Sequence, residues 1–288
     1  MTMFNRRDLL MAGGLAAAHG PLSLVRATSD TGSTIGAPHN PGTPVPLGGG
    51  RRAHEVLPSF PSTDPELVTG VLIAAHTDLD TVVELVTDYP HLARASVDWG
   101  FGDWESALGA ASHMGRRDIA EFLIDNGARP NIFSAAMFGQ IEVVKALVTV
   151  APGVQRIPGP HGITLLAHAR NGGEAAAPVV EYLDRLGDAD TSPETVTLTD
   201  EQRRQFVGTY GFDAAGNDVL EIADRRGVLS IRRDGLPFGR RMFAVSETEF
   251  FPTGSPTVRI IFQIEGGQAT KLRVVDKKVI LTAARLTD

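Results

Sequence analysis

The chain has 288 residues, of which 42% are hydrophobic and 21% charged, with a formal net charge of −7 and no cysteine. Length and composition suit about two soluble domains, and the acidic balance argues against a nucleic-acid partner, which rewards a basic face. Without cysteine, disulfides, thiolate metal sites and a cysteine nucleophile are excluded.

The first segment, "NRRDLLMAGGLAAAHGPLSLVRA", pairs Arg6 and Arg7, continues as a short apolar run diluted by Gly13 and Gly14, and ends at the small-residue site Val25-Arg26-Ala27. The run is too short and weakly apolar to span a bilayer. It resembles a twin-arginine export signal, with tandem arginines read by a receptor. Residues 1–27 are therefore expected to be an address and the mature protein to be periplasmic. Residues 28–60 are expected to be a disordered spacer, since "TSDTGSTIGAPHNPGTPVPLGGG" has little to bury against the entropy of ordering. No later segment is apolar enough to predict a membrane span.

Residues 61–187 carry internal self-similarity. "SALGAASHMGRRDIAEFLIDNGARPN" places Leu108, Ala111, Gly115, Ile119, Leu123, Gly127, Ala128 and Asn131 at the spacing of two short helices joined by a glycine turn. Ala135, Ala136 and Gly139 repeat that pattern after a shortened connection, and Thr164, Leu166, Ala169 and Gly173 repeat it again. "LVTGVLIAAHTDLDTVVELVTDYP" is an earlier, less regular unit with Asp78 at the turn position. The series resembles ankyrin repeats, which implies a helical solenoid of about four units with a concave binding surface.

"DWGFGDWESALGAASHMG" holds both tryptophans of the chain. No G-x-S-x-G surrounds Ser106, and "GFGDWES" lacks the Gly-Lys-Ser/Thr of a phosphate loop, so Ser106 is predicted to cap a helix. The stretch before it reads as an inter-repeat finger. Trp99, Phe101 and Trp104 are candidate partner anchors, because tryptophan dominates interface hot spots; packing within the array is the competing role. Asp98, Asp103 and Glu105 are expected to keep the finger wet and to orient a basic partner, and His161, in a later finger, is counted with them as a partner-binding candidate. No H-E-x-x-H occurs and no carboxylates flank the histidines at ligand spacing, so no metal, cofactor or catalytic residue is expected.

Residues 188–196 read as a polar linker. In residues 197–288, Thr199 and Gln202 have capping-box spacing, and about eight short alternating segments follow, from Phe206–Phe212 to "KVILTAARL". They predict a small antiparallel barrel or strongly curled sheet. "FVGTY", "LSIRR", "SETEFF" and "RIIFQIEGGQATKLRV" resemble the accessory domain of β-lactamase-related serine hydrolases, which implies a lipocalin-like barrel. The S-x-x-K of those hydrolases is missing, so their activity is not implied. The expected fold is thus multidomain α + β, an ankyrin-repeat solenoid followed by a small β-barrel. The expected function is an exported, non-enzymatic adaptor for a protein partner. The alternatives are a barrel that binds a small ligand or peptide, with Arg232, Arg233, Arg240 and Arg241 for an anion, and an accessory subunit of a hydrolase.

Overall fold

Side-chain caps start most of the helices in the first half of the molecule. The computed structural model describes residues 61–213, 218–233 and 238–286, so the export signal and spacer read from the sequence lie outside the described residues. Helix α1 (Pro65–Ala74) pairs with α2 (Leu79–Asp88), α3 (Ala107–His113) with α4 (Arg117–Asp125), α5 (Ile132–Met137) with α6 (Ile141–Val150), and α7 (Leu165–Asn171) with α8 (Ala177–Leu186). Asp64, Asp78, Ser106, Asn131 and Thr164 each accept a backbone N–H of the first turn, satisfying donors that have no partner within the helix. Ser106 thus has the capping role predicted for it, with its Oγ 3.0 Å from Gly109 N.

The first helices of successive pairs stack, α1 on α3, α3 on α5 and α5 on α7, with α7 also reaching α3. Their buried faces are made of small residues, among them Ala110, Ala111, Ala135, Ala136 and Ala169, which let backbones approach closely. The closeness is greatest at the turns. A Cβ on Gly139 would lie 2.1 Å from the carbonyl oxygen of Ala175, and Gly139 has φ +74°, a region cheap only for glycine. Larger side chains fill the layer beneath, with Leu72, Leu108, Ile119 and Leu123 in one cluster and Leu165, Val179 and Leu183 in another.

A hairpin projects between α2 and α3, with β1 (Ser96–Asp98) paired to β2 (Trp104–Ser106). Its turn runs through three successive left-handed residues, Gly100, Phe101 and Gly102, and Asp98 Oδ1 accepts the N–H groups of Gly100 and Gly102.

After α8, Ala189 is buried and its carbonyl accepts Leu166 N, while Asp190 accepts the Thr164 hydroxyl. Helix α9 (Asp200–Arg204) opens with the predicted capping box of Thr199 and Gln202. Eight strands then close into an antiparallel barrel: β3 (Gly208–Gly211), β4 (Val219–Arg225), β5 (Val228–Arg233), β6 (Arg240–Ala244), β7 (Glu249–Pro252), β8 (Arg259–Glu265), β9 (Gln268–Asp276) and β10 (Val279–Arg285). Neighbours in sequence are neighbours in the barrel, and β10 returns to β3. Of the barrel and the curled sheet that the sequence allowed, the closed barrel forms. Its interior is packed around Phe206, Tyr210, Phe250 and Phe262, with Phe206 and Phe262 ring centres 4.8 Å apart. Arg285 stitches the closing seam by donating to the carbonyls of Gln205, Val207 and Ala269. Among the described residues no helix is long and apolar enough to cross a membrane.

The turn glycines separate two kinds of strain. Gly127 also has positive φ, +93°, but nothing lies within 4 Å of where its Cβ would be. Gly127→Ala should therefore cost only the backbone term of about 1–2 kcal/mol. Gly139→Ala must in addition push back a carbonyl and should cost clearly more, as denaturant midpoints of the two variants would show.

Candidate metal centre

Four side chains from four separate elements converge beside the hairpin. His76 follows α1, Glu105 lies on β2, His113 ends α3, and His161 sits in the short turn Pro160–Gly162 before α7. One donor atom from each lies within 4.8 Å of the other three. The centre of the group is Glu105 Oε1, which is 2.9 Å from His113 Nε2, 3.3 Å from His161 Nε2 and 3.8 Å from His76 Nε2.

The neighbours of these groups hold them in that orientation. His76 Nδ1 donates to the Leu72 carbonyl at 2.9 Å, which leaves Nε2 as the inward-facing nitrogen. Trp99 Nε1 donates to Glu105 Oε2 at 2.7 Å, fixing the carboxylate from behind. His161 has φ +60°, an uncommon conformation for a residue with a Cβ. Asp103 keeps it there, accepting both His161 N at 2.8 Å and His161 Nδ1 at 2.9 Å. Asp103 is in turn ion-paired with Arg240 at the start of β6. Its carboxyl group lies where a Cβ on Gly254 would fall.

This packing corrects the expectation that the finger carboxylates are wet: Asp103 and Glu105 are only 3% and 1% exposed. Strand alternation is the reason, since Trp104 and Glu105 on β2 point to opposite faces. Trp104 is 64% exposed. Trp99 packs against the helical core and meets Phe238 edge-on at 5.9 Å, and Phe101 packs against the barrel core, its carbonyl accepting the Ser255 hydroxyl. Asp98 is exposed and organises the hairpin turn. Three of the arginines read as an anion site are ion-paired: Arg232 with Glu221, Arg233 with Asp218, and Arg240 with Asp103. The fourth, Arg241, lies over the Phe243 ring.

Electrostatics follow from the geometry. Burial alone would raise the Glu105 pKa, but hydrogen bonds from His113 and His161 outweigh it and lower the value to about 2. Burial alone would likewise lower the His161 pKa, but hydrogen bonds to Asp103 and Glu105 raise it to about 9. His161 is thus an imidazolium donating from both nitrogens. His168, behind His113, is different: burial dominates, its pKa falls to about 4, and it stays neutral with Nδ1 donating to the Thr164 carbonyl.

Three imidazole nitrogens and one carboxylate oxygen are a donor set that suits zinc and its first-row divalent neighbours. Tetrahedral bonds of about 2.0–2.1 Å place donor atoms about 3.3 Å apart, close to the spacing around Glu105 Oε1. The hydrogen bonds that the Leu72 carbonyl and Asp103 accept and that Trp99 donates are the kind that orient metal ligands from outside. The sequence expectation of no metal rested on ligand spacing along one helix, and these four positions share no helix. In comparisons with known proteins, no family model matches the sequence and no curated protein is significantly similar to it.

In chelator, two stability losses should bracket neutral pH. The Glu105 contribution is present above its ordinary value of 4.5 and lost as pH falls toward about 2. The His161 contribution is full below 6.5 and lost as pH rises through about 9. Melting temperature against pH should therefore fall on the alkaline side, and His161→Asn should flatten that limb.

Proposed function

We propose that this protein binds one divalent transition-metal ion through His76, Glu105, His113 and His161. The reading rests on one observation, the convergence of three Nε2 atoms on a single buried carboxylate oxygen whose surroundings already fix the ligand orientations. The ion would replace the proton that the His161 imidazolium places on Glu105, so binding would release a proton. The helix pairs are read as ankyrin-type units and the barrel as lipocalin-like, a scaffold that holds the site rigidly at the base of the hairpin. The twin arginines support export to the periplasm, with Ala27 ending the signal.

Calorimetry on chelator-treated protein tests the reading. One equivalent of Zn2+ or Co2+ should bind, and the near-isosteric Glu105→Gln should weaken binding strongly while circular dichroism stays unchanged. Trp99→Phe, which removes the outer hydrogen bond to Glu105 along with part of the packing against Phe238, should weaken it by roughly 10–100-fold. Absence of stoichiometric binding by the wild-type protein would refute the proposal. For export, Arg6→Lys with Arg7→Lys should leave precursor in the cytoplasm.

A second reading, an adaptor for a protein partner, is favoured by the exposure of Trp104 on the hairpin. Trp104→Ala should then cost partner binding on the order of 2 kcal/mol with an unchanged melting point. A lowered melting point with unchanged affinity would count against it.

A further inference from the structure

Building on the proposed metal centre, we propose that the bound ion keeps an exchangeable position between His76 and His161 and takes a small carboxylate anion there. Three features of the site lead to this.

The first is one-sided access. The side chains of Glu105 and His113 are 0% and 6% exposed, whereas those of His76 and His161 are 26% and 23% exposed. Glu105 and His113 thus form the inner wall, and His76 and His161 the side nearer solvent. The second is the spacing of the imidazoles. The ring centres of His76 and His113 are 5.0 Å apart and those of His113 and His161 5.5 Å, both pairs edge-on. His76 and His161 are the widest pair, with centres 6.4 Å apart and planes within 21° of parallel. The widest separation among the three imidazole rings therefore falls between the two exposed ones, and their near-parallel planes suit a planar group such as a carboxylate.

The third is charge. A divalent ion with neutral imidazoles and the Glu105 carboxylate carries a net charge of +1, and the nearby Asp103 is matched by Arg240. An uncompensated charge in a largely buried site is costly, and one monoanion cancels it. Coordination number allows the addition. Four protein donors complete a tetrahedron, but zinc and cobalt accept a fifth ligand, and manganese, iron and nickel commonly take six.

Cobalt-loaded full-length protein provides the test, with sodium acetate as the ligand. Saturable changes in the cobalt d–d absorption in the millimolar range of acetate are expected, with sodium azide competing for the same position. Manganese-loaded protein supplies a second measurement: enhanced water-proton relaxation should show an exchangeable water that acetate displaces. Failure to bind cobalt and manganese at all would remove the metal centre itself. Binding of both ions with no response to acetate or azide, and no relaxation enhancement, would leave the metal centre standing and overturn the exchangeable position.

Discussion

The buried Glu105 carboxylate is the constraint around which this molecule is arranged. A carboxylate withdrawn from water must be matched by donors or lose its charge. Here Trp99 satisfies one oxygen and histidines surround the other. Meeting that demand fixes the hairpin, the end of α3 and the turn before α7 in one place. Asp103, two residues earlier on the same face of the hairpin, extends the arrangement to the barrel through Arg240. Joining the helix pairs to the barrel and building the polar site are therefore accomplished by the same few side chains.

Such a network is finely balanced in energy. Removing one member of a buried charged group leaves the others without compensation, which typically costs about 3–5 kcal/mol. Glu105→Gln keeps the packing that alanine would lose, but it too removes the charge that offsets the His161 imidazolium. The network also accounts for the strained backbone nearby. Phe101 and His161 both have φ near +60°, and each is held by polar contacts that cross between chain segments, from Ser255 and from Asp103.

Much of the fold could be read from the sequence because its signals are local. The Ser106 cap, the glycine turns, the Thr199 capping box and the alternating strands each depend on residues within one element or one turn. The site could not be read that way, because its residues lie 29, 8 and 48 positions apart and belong to four elements. One signal was nevertheless present. His76 precedes Asp78 by two residues, and His113 precedes Gly115 by two, so both hold the same position in successive helix pairs. Stacked units bring equivalent positions side by side, and Asn171, two residues before Gly173, donates to the His113 carbonyl in the same row. The finger carboxylates were misread for another reason: charge alone suggested solvent, whereas the two-residue period of β2 turns Glu105 inward and Trp104 outward.

The pairing of Asp103 with Arg240 spans 137 residues of sequence. A contact of that separation carries a loop-closure cost that the folded intervening chain offsets. His161 takes its conformation from Asp103, so the Arg240 ion pair ties the polar centre of the helix pairs to the barrel. The barrel thus acts as a remote brace for a cluster whose four residues all precede it in sequence.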